Sequence, residues 1–324
     1  MLSPFARVLK RGIAFRGPTS PDPPYGRHLI ALPPTRRTDS LRGIALMAGG
    51  MFLFSGVDTM AKVLTETIHP VQIAWFRQVG LLLGVVVLIA LRGRSVLRSA
   101  HPGLQIGRGA LAACSATLFI VGVGYVPLAD AVALTFVAPF MVTVMGALVL
   151  REPVGARRWV AVTVGFVGAL IVIRPGMGAL HPAAGLLLLA AAAFAMRQVL
   201  SRVLSGDDRT STTVAYTAIA SWTLLTIPLP FFWTTPASGG EIALLLAVAI
   251  VAAAAETLII MALDAAQAVV VAPVQYTLLL WGTLYGFFVF DQLPDGWTWL
   301  GAGVIVGSGL YTLNRERMAM KARG

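Results

Sequence analysis

The chain is expected to be an all-α integral membrane protein, with ten transmembrane helices arranged as two inverted five-helix repeats. Three observations carry this expectation: a composition with too little charge to cover a soluble surface, ten apolar runs of spanning length, and a one-sided distribution of lysine and arginine. Of the 324 residues, 57% are hydrophobic and 12% charged, with a mean hydropathy of +0.81. Soluble domains carry about 25% charged residues, whereas a protein solvated by lipid needs no such cover. A single cysteine, Cys114, excludes an internal disulfide.

Runs of about 17–25 apolar residues suffice to cross a bilayer as helices. They fall at 43–64, 72–91, 109–126, 129–150, 159–173, 184–204, 213–232, 242–263, 266–290 and 297–313. Ten spans place 21 of the 25 Lys and Arg residues on one side, in the two tails and alternate connections, against Arg174 alone on the other. Lys62, Arg77 and Arg197 fall inside spans. By the positive-inside rule, both termini are cytoplasmic and the protein sits in the inner membrane. The net charge of +11 is therefore a topology signal, and no nucleic-acid partner is expected. Residues 1–42 form a basic cytoplasmic tail. Seven prolines in its first 40 residues and no long apolar run imply disorder, with a targeting segment or an overlong start as the other readings. A second tail covers 314–324.

The sequence repeats at an offset near 140. Residues 58–65 (DTMAKVLT) align with 198–205 (QVLSRVLS), and 144–152 (VMGALVLRE) with 284–292 (LYGFFVFDQ). The units are 43–174 and 184–313. Five spans is an odd number, so the second unit enters the membrane inverted, the plan of carriers that alternate access around a midplane site. Gly303 and Gly307 form a small-xxx-small pattern that suits close helix packing.

A family resemblance lies in Arg108-Gly109, Tyr125-Val126-Pro127-Leu128-Ala129-Asp130-Ala131, Arg151-Glu152-Pro153, Arg158-Trp159, Gly165-Phe166-Val167-Gly168 and Arg174-Pro175-Gly176. The second half contributes Ala272-Pro273-Val274-Gln275-Tyr276-Thr277, Phe290-Asp291-Gln292-Leu293-Pro294-Asp295 and Trp299-Leu300-Gly301. In order and spacing these resemble two EamA domains of the drug/metabolite transporter superfamily, over residues 43–315. The resemblance implies a ten-helix inner-membrane carrier of a small metabolite, near the S-adenosylmethionine-uptake-like branch, whose fourth and ninth spans line the cavity. Gln292 stands where that segment usually has a glutamate.

Ionisable residues within spans mark candidate sites. Asp58 and Lys62 share a face of the first span with Ser55 and Thr59; Arg77 lies on the second, Arg197 and Gln198 on the sixth, Glu256 on the eighth. Lys62, a turn from its span end, is expected to snorkel to the interface. The ninth span offers Gln275, Tyr276, Trp281 and Thr283 beyond a kink at Pro273, with Tyr285 further on. The fourth offers Thr135 and Phe140 with Pro139 and Thr143. By depth, Asp58 with Arg77 and Arg197 with Glu256 form two opposite-sign pairs at mirrored levels, expected to gate the two sides. A carboxylate released from its cation while buried takes up a proton, which would couple transport to a proton gradient.

Enzyme chemistry has little to stand on. The four histidines fall in tails or connections, without metal-ligand spacing on a helix, and there is no Walker A sequence. No cofactor or metal is expected. The ninth span lacks Lys and Arg, which argues against a phosphorylated substrate. The expected function is secondary active transport of a small polar or zwitterionic metabolite, such as an amino acid, a purine-like compound or S-adenosylmethionine, with the bilayer and protons as further partners. A channel or structural subunit and a membrane-embedded enzyme are the alternatives.

Overall fold

A computed structural model describes residues 40–150, 154–174, 181–204, 207–266 and 268–321. The expected tail up to residue 39, Arg151-Glu152-Pro153, Pro175-Gly176, Ser205, Gln267 and the last three residues lie outside the described residues. Every regular element among the described residues is helical: α1 (Ser40–Leu64), α2 (Pro70–Arg92), α3 (Pro102–Val123), α4 (Leu128–Thr135), α5 (Ala138–Val149), α6 (Ala156–Ile173), α7 (Ala183–Leu204), α8 (Thr210–Thr226), α9 (Leu229–Phe232), α10 (Gly239–Ala265), α11 (Ala268–Val271), α12 (Thr277–Phe290) and α13 (Gly296–Lys321). Among the described residues, six apolar helical segments are long enough to cross a membrane: Ser40–Leu64, Pro70–Ala90, Pro102–Val123, Leu128–Val149, Ala183–Leu204 and Gly239–Leu263; Trp159–Ile173 is a shorter apolar helix.

Helix starts follow from local chemistry. Proline opens α2 and α3, where its missing N–H costs nothing. At the start of α10, Ser238 Oγ accepts from Glu241 N–H at 3.2 Å while Glu241 Oε2 accepts from Ala237 N–H at 2.6 Å, a reciprocal cap close to a capping box. Three of the expected spans are broken. The fourth divides at Phe136–Val137, just before Pro139. The ninth passes through a 3-10 segment, Ala272–Tyr276, that contains Pro273. The seventh also yields at Pro228. The last helix continues eight residues past the expected end at 313, through strong helix formers such as Arg315, Met318 and Lys321.

Large apolar side chains face outward, Phe231 at 85% and Phe288 at 76% exposure with Leu83, Val86 and Val87 among them. In water this would be an aggregating surface; in lipid it is the solvated one.

Inside, the helices pack in pairs that repeat. α1 lies on α10 as α7 lies on α3; α2 lies on α10 as α8 lies on α3; α12 meets α1 as α5 meets α7. α6 packs on α13, and α2 on α8. Single residues obey the same rule. A Cβ on Gly80 would lie 1.8 Å from Ala249 O, and one on Gly109 would lie 2.5 Å from Ala220 Cβ. Each contact becomes the other when 140 is added to one member and subtracted from its partner. Gly43 against Ala262 and Gly122 against Ala183 are a second such couple. The Phe136 and Tyr276 rings lie 4.9 Å apart, tilted at 35°, and those two positions are 140 apart themselves, both at the helix breaks.

Candidate functional site

On α1, Asp58 is 1% exposed. Its Oδ1 pairs with Arg77 Nη1 of α2 at 3.2 Å, and the Arg77 guanidinium lies 4.5 Å from the Phe54 ring centroid. A buried carboxylate needs such a partner, since leaving either charge alone costs about 3–5 kcal/mol. The expected Asp58–Arg77 pair is thus present. The second pair is not closed: Arg197 and Glu256 make no ion pair within 4 Å, although the Glu256 charge reaches Arg197. The Arg197 guanidinium lies 4.6 Å from the Phe194 ring centroid, and its Nε is buried without an acceptor.

Lys62 does not snorkel. It is buried, and its Nζ donates to Val123 O at 3.0 Å and to Val126 O, with the Phe290 ring 5.2 Å away. Val123 ends α3, where carbonyls lack helical partners. A cation there also complements the helix dipole, for about 0.3–1 kcal/mol and up to about 2 when buried. The carbonyls at the end of α3 and in the turn before α4 hold Lys62 in place.

Arg108 belongs to the same neighbourhood as Arg197. It stands one residue outside the expected third span, 109–126, but lies within α3. Its Nε donates to Ser201 Oγ of α7 at 2.7 Å, and Nη1 donates to Thr213 O at 3.4 Å and to Thr217 Oγ1 of α8. It therefore ties α3 to α7 and α8. The signal for it was Ser201, Thr213 and Thr217, small hydroxyls at one end of two apolar helices.

The ninth-span candidates divide. Tyr276 rests on Phe136, its hydroxyl pressed against Gly309 of α13. Trp281 meets Phe52 edge-on at 5.1 Å with Nε1 buried and unpartnered. Thr283, 7% exposed, also has an unpartnered hydroxyl. Gln275 is exposed, and Gln198 is half-buried. In α4, Thr135 donates to its own helix at Val132 O, 2.7 Å away. Phe140 is a packing residue: it is 3% exposed, and its ring fills the space a side chain at Gly165 would need.

Each end of the bundle is clamped. At one, the Gln72 amide makes two hydrogen bonds to the Thr234 backbone, of 3.0 and 2.8 Å, and Trp75 Nε1 donates to Thr226 Oγ1 at 2.8 Å. At the other, Asp208 accepts from Ser99 Oγ at 2.6 Å, Gln105 Nε2 at 2.7 Å and Ala100 N–H at 2.8 Å. Partial burial opposes the Asp208 charge, but these donors and nearby His101 outweigh it and hold the carboxyl below its ordinary value of 3.8. Asp295 caps α13 by accepting from Thr298 N–H at 2.9 Å and pairs with Arg174 at 2.5 Å. That N–H, with Arg174 further down, holds its carboxyl low as well, against some burial. Beside Arg174, Asp130 and His181 line a cavity of about 40 Å³, room for a water and not for a metabolite. Among the described residues, no cluster of His, Cys, Asp or Glu could hold a metal ion.

The model of the EamA-like transporter family matches residues 41–174. The S-adenosylmethionine uptake transporter of Rickettsia prowazekii (strain Madrid E) is 25% identical over 284 residues, 87% of this chain and 96% of that protein. The riboflavin transporter of Vibrio cholerae is 34% identical over 216 residues, 66% of this chain and 72% of that protein. The pseudopaline exporter of Pseudomonas aeruginosa is 28% identical over 278 residues, 85% and 96% of the two. With buried charges on apolar helices and relatives matched along most of their length, the chain belongs to the EamA-like transporter family, as a multi-pass membrane transporter rather than an enzyme.

Proposed function

We propose that the protein is a secondary active carrier for a small polar or zwitterionic metabolite, chemically akin to S-adenosylmethionine, in the inner membrane. Ten spans form two inverted five-helix repeats, 43–174 and 184–313, and access alternates between them. The observation that carries this reading is the pairwise recurrence of contacts at an offset of 140: Gly80–Ala249 with Gly109–Ala220, Gly43–Ala262 with Gly122–Ala183, and the self-paired Phe136–Tyr276. Packing in which each contact recurs with the halves exchanged favours two conformers of similar energy that differ in which side is open.

The substrate path runs between the Asp58–Arg77 level and the Arg197–Glu256 level, past Gln198, Tyr276, Trp281 and Thr283. The unpartnered Trp281 Nε1 and Thr283 Oγ1 supply donors there. Asp58–Arg77 is the engaged latch and Arg197–Glu256 the released one, and the two exchange roles as access switches. Protein reconstituted into proteoliposomes loaded with unlabelled S-adenosylmethionine is expected to accumulate the labelled compound transiently and saturably. Flux that rises linearly with concentration and shows no counterflow would make the protein a channel.

A further inference from the structure

Two gaps between consecutive helices are each bridged by a guanidinium. α1 and α2 pack little on each other, and both lie on α10; α7 and α8 pack little on each other, and both lie on α3. Asp58 and Arg77 join α1 to α2 at 3.2 Å. Arg108 joins α7 to α8: reaching from α3, it donates through Nε to Ser201 Oγ of α7 at 2.7 Å and through Nη1 to Thr217 Oγ1 of α8. Thr217 stands 140 after Arg77, the same offset that relates Gly80–Ala249 to Gly109–Ala220. The two guanidinium groups therefore hold mirrored places at opposite ends of the bundle.

We propose that Arg108 is the counterpart of the Asp58–Arg77 pair, a releasable tie that closes the end of the bundle where α3 begins. This rests on the carrier reading and adds to its two latches one that is held by neutral acceptors. The partner that leaves is Ser201. α8 is fixed to α3 by the close approach of Gly109 to Ala220, and Gln105 of α3 donates to Asp208, just before α8, at 2.7 Å. α7 is fixed to α3 at its far end, where a Cβ on Gly122 would lie 2.6 Å from Leu187 Cδ2. The end of α7 that carries Ser201 is left to swing about that contact.

The two ties differ in what their release leaves behind. Parting Asp58 from Arg77 strands two opposite charges inside an apolar bundle. Parting Arg108 from Ser201 strands no carboxylate and no hydroxyl. Ser201 Oγ still donates to Arg197 O at 2.8 Å, and Thr217 Oγ1 to Thr213 O at 2.7 Å. Arg108, in the second turn of α3, has a stem long enough to carry its head toward the interface.

The test is amide hydrogen exchange of the purified whole chain in lipid nanodiscs, without added ligand, followed at the ends of α7 (198–204) and α1 (58–64). Ser201→Asp gives Arg108 a carboxylate, as Asp58 gives Arg77 one. It should slow exchange at 198–204 by about tenfold and, because closing one end favours opening the other, quicken it at 58–64. Ser201→Ala and Arg108→Gln should each do the reverse, with Arg108→Lys between Arg108→Gln and the wild type. Ser201→Ala removes a single oxygen, so it carries the test should Ser201→Asp fail to fold. The inference is overturned if these variants change exchange at 198–204 alone, as a static tie would, or at neither segment. Counterflow of labelled S-adenosylmethionine separates the two readings. Opposed changes at the two ends without counterflow remove the carrier of that compound and leave the tie, whereas counterflow with only local changes in exchange removes the tie and leaves the carrier.

Discussion

At the scale of single residues, tertiary partners decided what sequence position alone could not. Lys62 lies a turn from a span end, which suggests snorkelling, yet the carbonyls that hold it belong to the turn after α3, some sixty residues on. Asp58 with Arg77 was legible because both are charged, inside spans and at similar depth. Arg108 was not, since it lies at a span boundary where arginines ordinarily meet lipid headgroups. Asp208 shows the same dependence, because its three donors come from the far side of a long gap in the sequence. Its depressed carboxyl fixes a pH expectation. A group held below its unfolded value of 3.8 contributes stability above that value, and loses it only as pH falls through the folded value. The clamp between the α2–α3 and α7–α8 connections should therefore persist unchanged from pH 8 to pH 5. Limited proteolysis in those connections is expected to be flat across that range in the wild type and accelerated at every pH in Asp208→Asn. Cleavage in the wild type that rises steadily between pH 8 and pH 5 would remove Asp208 as the clamp.

At the scale of elements, the described residues of the apolar runs are mostly helical, because a largely apolar run in lipid has few other ways to satisfy its backbone. What the runs conceal is their breaks. Phe136–Val137 and Ala272–Tyr276 interrupt runs that read as continuous, for hydropathy is blind to where a proline removes a backbone bond. Pro273 announced one kink, and Pro139 was noted only as a neighbour of candidate residues. Helix-to-helix distance was equally hidden, since a glycine in an apolar run does not reveal which partner it admits. The three glycines in question predict a graded series. Gly80 faces the Ala249 carbonyl, a backbone atom that cannot turn aside, and Gly109 faces the Ala220 methyl, while Gly84 has nothing within 4 Å. Gly80→Ala should be the most destabilising, by about 1–3 kcal/mol or more, and Gly109→Ala less so. Gly84→Ala should be neutral or stabilising by up to about 1 kcal/mol through helix propensity. Thermal midpoints of the three purified variants check the order; Gly84→Ala falling below Gly80→Ala would contradict the packing of α2 on α10.

At the scale of the whole molecule, charge partition and the offset of 140 point to one architecture from independent directions, one through lipid topology and the other through contacts between halves. The same symmetry leaves the charges uneven. Asp58 and Arg77 meet between α1 and α2, while Arg197 and Glu256 stand apart on α7 and α10. Adding 140 to Asp58 reaches the uncharged Gln198. A carrier with identical latches on both sides would have no means of distinguishing them; in the proposed mechanism one carboxylate keeps its cation while the other exchanges partners. Arg108 is already engaged by the Ser201 and Thr217 hydroxyls. On the proposed carrier mechanism, a proton and the substrate compete for Glu256. Competition between those two for one group is sufficient to couple their movements in opposite directions. Glu256→Gln cannot ionise, so at saturating substrate it should retain counterflow while losing accumulation driven by a pH gradient. Its half-saturation should rise if the substrate also touches this carboxylate. The measurement is tracer uptake into proteoliposomes with and without an imposed pH gradient, alongside counterflow at equal pH. Should Glu256→Gln still concentrate substrate against its gradient when only the pH gradient drives it, Glu256 carries no proton, and the unmatched charge at this level serves substrate binding alone.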